Sequence, residues 1–431
     1  MPPIRSAEIL RQALLALPIL IGATAVSAQD LVPQAVEYVP LEDLSLEAGD
    51  DARVNDQAGR VDDRLGGVEW TPARDEMPEP AESGWDLGLV LEVAYDDNIF
   101  LSAAAPESDL VISVTPRVGF IAGRDDDEAA YLKLAYRPSA VIYIENGDET
   151  RLDQRLDLEG AINGRRSGLR FLGNLDRLGG ATPEIGAQVD RTDYAAELRA
   201  AWRPREKLAL EIATGMAGTD YDDAVFSDSK ETYLEGALRY AYSPKTELVF
   251  AVAGGTIEVD QAMDQDFLRA TTQLIWKPRE KLSIDLKAGL EHRDYGIDSD
   301  TFPVLDGRVV WMPREGTEVF LAGYLREESS AIFAGENIEV AGFEAGVARR
   351  FGEYWTARLS AGYETADYKV VSGPGVGGRS DGIFFIRPSL EYQLNDRFRF
   401  GVFYRYEQND SNVAAFGYDV NRFGVDAELD F

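Results

Sequence analysis

The chain contains no cysteine and a single histidine, His292. The first absence excludes a disulfide framework and any thiolate metal site. The second removes histidine-rich metal centres and leaves one imidazole for any nucleophile–histidine arrangement. No stretch approaches about 18 consecutive apolar residues, so no transmembrane helix is expected. Positive charge is scarce: 43 Lys and Arg stand against 76 Asp and Glu, for a net charge of −33. Nucleic acid is not an expected partner, because binding it needs a basic face. Disorder throughout is excluded by 19 Tyr, 19 Phe and 6 Trp.

What is present begins with a targeting segment. Arg5 and Arg11 precede a mostly apolar stretch from Ala13 to Ala25 that is too short to span a bilayer. Val26-Ser27-Ala28 places small residues for cleavage after Ala28, so residues 1–28 are read as a signal peptide. Residues 29–84 carry 15 Asp or Glu and 4 Arg, a net of −11, and are interrupted by Pro33, Pro40, Pro72, Pro78 and Pro80. No hydrophobic period persists there. This is expected to be a disordered periplasmic lead-in; the alternative is a docking tail for a periplasmic or inner-membrane partner.

From Trp85 to Phe431 the pattern changes to strict alternation, the mark of strands with two different faces. Trp85, Leu87, Leu89, Leu91, Val93 and Tyr95 alternate with residues that include Asp86 and Glu92. Eighteen strands are expected near 85–95, 109–122, 129–144, 152–164, 168–177, 190–203, 207–216, 231–243, 247–257, 266–277, 281–292, 302–312, 317–327, 338–350, 354–364, 382–394, 397–407 and 417–431. They exceed the usual length of about 5 to 6 residues in soluble proteins and match the length of a tilted membrane-crossing strand. Pro116, Pro138 and Pro388 fall inside three of them and oppose a central-strand assignment there.

Connections alternate between tight turns and longer loops rich in Asp, Gly and Ser, as short periplasmic turns and long outer loops do in bacterial barrels. Trp202-Arg203-Pro204-Arg205-Glu206-Lys207 recurs as Trp276-Lys277-Pro278-Arg279-Glu280-Lys281, with variants at Tyr242-Ser243-Pro244-Lys245 and Trp311-Met312-Pro313-Arg314-Glu315. Each unit spans one hairpin plus one loop. Its aromatic sits where an interfacial girdle belongs. A propeller would need four strands per repeat, and here there are two.

The fold expected is therefore an all-β, closed, up-and-down antiparallel transmembrane barrel of about 18 strands over 85–431, located in the outer membrane. A soluble sandwich gives the same alternation; the targeting segment, strand length, even count, girdle and turn asymmetry decide against it. The faces opposite the apolar ones carry Arg137, Arg155, Arg170, Arg199, Arg239, Arg269, Arg308, Arg358, Arg387 and Arg405 among Asp and Glu, and these arginines are expected to line the lumen. Their mixture with acids implies neither simple anion nor simple cation selectivity. Tyr143, Tyr233, Tyr324 and Phe403 are candidate stacking platforms for a sugar. Phe431 closes an amphipathic last strand (Phe423, Val425, Ala427, Leu429) and is a candidate assembly signal.

Tyr95-Asp96-Asp97-Asn98-Ile99-Phe100, followed by Ser108-Asp109 and Pro116, resembles the opening of a family of outer-membrane β-barrel porins whose genes often lie in exopolysaccharide biosynthesis clusters. The resemblance would cover about 85–431. It implies export or passage of a polysaccharide, with outer-membrane lipid, the barrel assembly machinery and polysaccharide-export components as partners. Asp96, Asp97 and Asn98 suit a polar turn where the strand leaves the bilayer. A Ca²⁺ site there would draw on the same oxygens, but the spacing matches no EF-hand loop. His292, beside Glu291 and Asp294, is read as a polar strand-end residue rather than a catalytic one. No catalytic residue, metal or cofactor is expected. The alternative to passage is an adhesive or scaffold barrel without an open pore.

Overall fold

A computed structural model describes residues 84–123, 130–371 and 377–431. The expected signal peptide, the acidic segment except Gly84, and the connection expected at Arg124 to Glu128 lie outside the described residues. The strands are β1 (Gly84–Asp96), β2 (Asp109–Gly123), β3 (Ala130–Tyr143), β4 (Arg151–Asn163), β5 (Ser167–Ala181), β6 (Gln188–Arg205), β7 (Leu208–Tyr221), β8 (Ser229–Ser243), β9 (Thr246–Val259), β10 (Gln265–Arg279), β11 (Leu282–Asp294), β12 (Ser299–Arg314), β13 (Thr317–Ser329), β14 (Glu336–Phe351), β15 (Trp355–Val370), β16 (Ser380–Gln393), β17 (Phe398–Ser411) and β18 (Tyr418–Asp430). Each pairs antiparallel with its sequence neighbours, and β1 pairs with β18 from Gly88↔Asp430 to Asp96↔Arg422. The expected closed barrel of 18 antiparallel strands is the observed one. Among the described residues, no helix is long and apolar enough to cross a membrane.

The alternation sorts as its chemistry requires. On β1, Leu87, Leu91, Val93 and Tyr95 point outward and are exposed, while Val90, Glu92, Ala94 and Asp96 point inward and are buried. The same outward display continues through Leu210 and Ile212, Phe250 and Val252, Leu286 and Leu290. A water-soluble protein does not expose a continuous apolar belt of this kind; lipid is the solvent that accepts it.

The repeated tryptophan–proline turns have a shared geometry. The ladder slips between Trp202 and Arg205, between Trp276 and Arg279, and between Trp311 and Arg314. Each slip is a bulge just before the tight turn, where proline's missing N–H costs nothing. The indoles sit on the last paired rung before each slip, on the outward face, and Trp202, Trp276 and Trp311 are all exposed at the turn end of the barrel. Pro116 and Pro138 are accommodated differently. The β2–β3 ladder runs through Val114↔Ala140, lapses, and resumes at Val118↔Tyr136. Both prolines fall in that single lapse. Thr115 Oγ1 donates to Ser139 Oγ across it at 2.8 Å.

Several strands run past their expected ends on the loop side. β7 continues to Tyr221, β15 to Val370 and β17 to Ser411. The added residues, such as Ala217-Gly218-Thr219-Asp220-Tyr221, do not alternate. Above the bilayer both faces of a strand can meet polar surroundings, so pairing persists where the pattern has vanished.

Candidate functional site: the lumen and its outer mouth

The inward faces of the strands build a lattice of opposite charges. Arg137 Nη2 lies 2.6 Å from Asp157, and Arg170 Nη2 lies 2.6 Å from Glu159, whose carboxylate also accepts Tyr131 Oη at 2.6 Å. Arg199 reaches Glu197 at 2.9 Å, Glu235 at 3.0 Å and Glu211 at 3.1 Å. Glu211 also accepts Arg239 Nε at 2.7 Å, and Arg239 pairs in turn with Glu247. Arg269 Nε sits 2.5 Å from Glu291, and Arg358 pairs with Glu391. Arg155 stands opposite Arg137 on one side and Asp176 on the other. Arg405 stands opposite Arg422. Arg308 and Arg387 lie over the rings of Phe320, at 5.9 Å, and Phe385, at 4.1 Å. All ten sequence-chosen arginines thus occupy inward positions of the ladders, and most lie across the wall against a partner rather than extending toward the barrel axis.

Inward aromatics are laid against the wall by glycine. Tyr233 faces Gly215, Phe320 faces Gly346, Tyr324 faces Gly342 and Phe403 faces Gly424 in the strand registers. A Cβ on any of these glycines would come within 2.6 Å of the ring opposite. The missing side chain is the space the ring fills. Two candidate stacking platforms need correction. Tyr143 (2 % exposed) and Tyr324 (3 %) are buried, packed in the apolar clusters of Ile99 with Val141 and of Ile338 with Tyr368, and present no face to a solute. Tyr233 and Phe403 are half-buried.

The outer mouth is crossed by its own loops. The β1–β2 connection turns inward at the Tyr95–Phe100 motif. Asp96 accepts the Asn98 backbone N–H at 2.9 Å, and Asp97 accepts Asn421 N–H and Nδ2 at 2.7 and 2.8 Å. Asn98 Nδ2 donates to the carbonyls of Asp419 and Ser102, and Asn98 Oδ1 accepts the Ser102 N–H. The motif's carboxylates are therefore engaged by N–H donors, and no group of three or more metal-ligating residues occurs among the described residues. The turn is polar, as expected, but it serves to seat apolar side chains. Ile99 and Leu101 are buried on the inner wall, Leu101 with φ of 51°. Gln188 Nε2, at the start of β6, donates to Ile99 O at 2.7 Å.

The β13–β14 hairpin bends furthest. By alternation Glu327 and Asn337 share the outward face of Leu321 and Phe343, yet both are buried against inward side chains of β10 and β11. Glu327 accepts Tyr295 Oη at 2.7 Å and Asn337 Nδ2 at 2.5 Å, and its carbonyl accepts Arg293 Nη2 at 3.3 Å. Asn337 exchanges amide hydrogen bonds with Gln265 at 3.0 and 3.1 Å. Burial and the Glu327 bond push the Tyr295 phenol well above its ordinary range, so it stays a donor. The hairpin tip then reaches the β5–β6 connection, eight strands away around the wall. Ser330 Oγ and Ala331 N both donate to Glu184 Oε1 at 2.8 Å, and Ser227 N, in the β7–β8 connection, donates to Ala331 O at 2.8 Å. Arg379, just before β16, clamps the same place. It donates to Glu184 O at 2.8 Å and Pro183 O at 2.9 Å, pairs with Asp381 at 2.6 Å, and lies 3.5 Å above the Phe416 ring centroid.

Sequence reasoning did not select Glu184, Ser330, Ala331 or Arg379. A signal existed. Ala331-Ile332-Phe333-Ala334 and Ile99-Phe100-Leu101 are apolar runs inside outer connections otherwise rich in Asp and Gly, and such runs favour burial over a watery surface. His292 faces outward, with Nδ1 2.9 Å from Thr301 Oγ1, while Glu291 faces inward onto Arg269 and Arg293. Alternation separates the two by the thickness of the wall, so they form no acid–histidine pair.

A family model described as "Putative beta-barrel porin 2" matches residues 301–431. No curated protein matches the chain. Solved structures similar to it include three from Pseudomonas aeruginosa. OccK3 (OpdO) is 13 % identical, with 80 % of this chain and 96 % of that chain covered and a TM-score of 0.44. OpdK with vanillate is 12 % identical, with 80 % and 99 % covered and a TM-score of 0.45. OccK2 (OpdF) in complex with glucuronate is 11 % identical, with 80 % and 98 % covered and a TM-score of 0.45.

Proposed function

We propose that the chain is an outer-membrane barrel of porin type that supports passage of a polar solute, and that the solute is a polysaccharide or a sugar-rich fragment of one. The observation that carries the reading is the two-sidedness of the closed wall: apolar residues cover its outside, and a lattice of charged and amide side chains covers its inside. A wall of that kind separates lipid from a polar interior. The dense pairing of Arg199, Arg239 and Arg269 with carboxylates suits a neutral, hydroxyl-rich solute better than a strongly charged one. The half-buried rings of Tyr233 and Phe403 offer apolar faces between those polar groups. The chain meets outer-membrane lipid along its belt, is inserted by the barrel assembly machinery with Phe431 as part of the signal, and works beside polysaccharide-export components.

The test has two arms. Purified refolded protein in a planar bilayer gives discrete conductance steps if it is a pore; an electrically silent bilayer would favour a scaffold. A strain lacking the gene loses surface polysaccharide if the solute class is right, whereas a normal coat would remove the polysaccharide assignment while leaving the pore.

A further inference from the structure

The contacts across the outer mouth differ in kind from those within the wall. The wall is a continuous ladder of backbone hydrogen bonds around all strands. The tip of the β13–β14 hairpin is joined to the opposite side by hydrogen bonds from Ser330 and Ala331 to one carboxylate oxygen of Glu184 and from Ser227 to the Ala331 carbonyl. Arg379 braces the far side of the same junction through the carbonyls of Pro183 and Glu184. Ser227, Ser330, Ala331, Glu184 and Arg379 are buried while the tip is seated; lifting it exposes these groups and exchanges each bond for one to water, at a small net cost per bond. Left-handed glycines flank the junction, Gly186 at φ 67° on one side and Gly377 and Gly378 at φ 55° and 76° beside Arg379 on the other. These are positions where the chain turns sharply without side-chain resistance.

We propose that the tip of the β13–β14 connection is a gate, that Glu184 is its catch, and that the arrangement seen is the closed state. Opening releases Ser330 and Ala331 from Glu184 and swings the tip outward, while the deeper anchor of Glu327 and Asn337 on Arg293 and Gln265 stays in place as the hinge base. Glu184 and Arg379 are positioning residues: they hold the strap and need not touch the solute. The gate rests on the passage reading above and is tested separately from it.

The absence of cysteine makes the experiment clean. Glu184→Cys and Ala331→Cys are introduced together in the full chain, which is joined with a short bifunctional methanethiosulfonate and studied in planar bilayers in potassium chloride. The joined protein is expected to lose most of its conductance and to regain it on reduction. Equal conductance in joined and reduced protein overturns the gate and leaves passage standing. Joining is confirmed by intact mass; because Glu184→Cys removes the catch, the unjoined double variant is itself expected to conduct more than the parent, and parent-like conductance overturns the gate. A second variant with residues 331–334 removed is expected to conduct more than the parent. If both parent and shortened protein are silent, the passage reading falls and takes the gate with it.

Discussion

Phe385 lies across Gly362 of the neighbouring strand, so closely that a Cβ on Gly362 would come within 2.3 Å of the ring and 2.6 Å of the Phe343 carbonyl oxygen. The glycine is thus defined by its neighbour and not by its own backbone. Gly362→Val should force the ring off the wall and lower stability by about 1–3 kcal/mol, the usual cost of overpacking. The measurement is the urea midpoint of the detergent-solubilised barrel; an unchanged midpoint would show that the ring does not rest there.

Glu211 is the shared acceptor of two arginines, Arg199 and Arg239, and its side chain is fully shielded. Removing it as Glu211→Ala leaves two guanidinium groups without their common partner, a loss of about 3–5 kcal/mol by analogy with broken buried pairs. Glu211→Gln keeps two acceptor lone pairs and should cost less. Equal midpoints for the two variants would mean that a neutral acceptor oxygen does not substitute for the carboxylate at this position.

Val252 faces outward near the middle of β9 and is 54 % exposed. Lipid on that side makes Val252→Arg costly, about 2–4 kcal/mol at the bilayer midplane. Folding into liposomes of defined thickness measures it. A variant as stable as the parent would place water, not lipid, against this face.

Asn98 fastens the β1–β2 connection through both ends of its amide. Asn98→Ala should free Ile99 and Leu101 from the inner wall while leaving the barrel folded. Limited proteolysis on intact cells is expected to cut near residue 100 in the variant and not in the parent. Equal resistance would mean that the apolar side chains alone hold the loop.

How much of this could be read beforehand depends on which force each feature records. The strands and their count were legible because lipid on one side and polar groups on the other impose a period of two on each bilayer-crossing stretch. The outer ends of β7 and β15 were not, since no such contrast acts above the bilayer. Charge partners such as Arg199 with Glu211 were invisible as pairs, because alternation gives the face but not the lateral register between strands. The inward bend of β13–β14 escaped for a related reason. Glu327 and Asn337 sit on the lipid-side parity, and only the fold of the hairpin over β10 and β11 explains why polar residues occupy it. The apolar run at 331–334 was the one local hint.

The lapse at Pro116 and Pro138 gives the wall a seam. Two amide donors are missing from one rung, and Thr115 with Ser139 supplies a side-chain stitch in their place. The closing edge has no such lapse: β1 and β18 match residue for residue from Gly88 to Asp96. Amide deuteration should reveal the interruption, with Val114 and Ala140, whose N–H groups border the gap, exchanging ahead of Val93 and Val425. The point where the ribbon was joined into a ring is thus not the point where its stitching is interrupted.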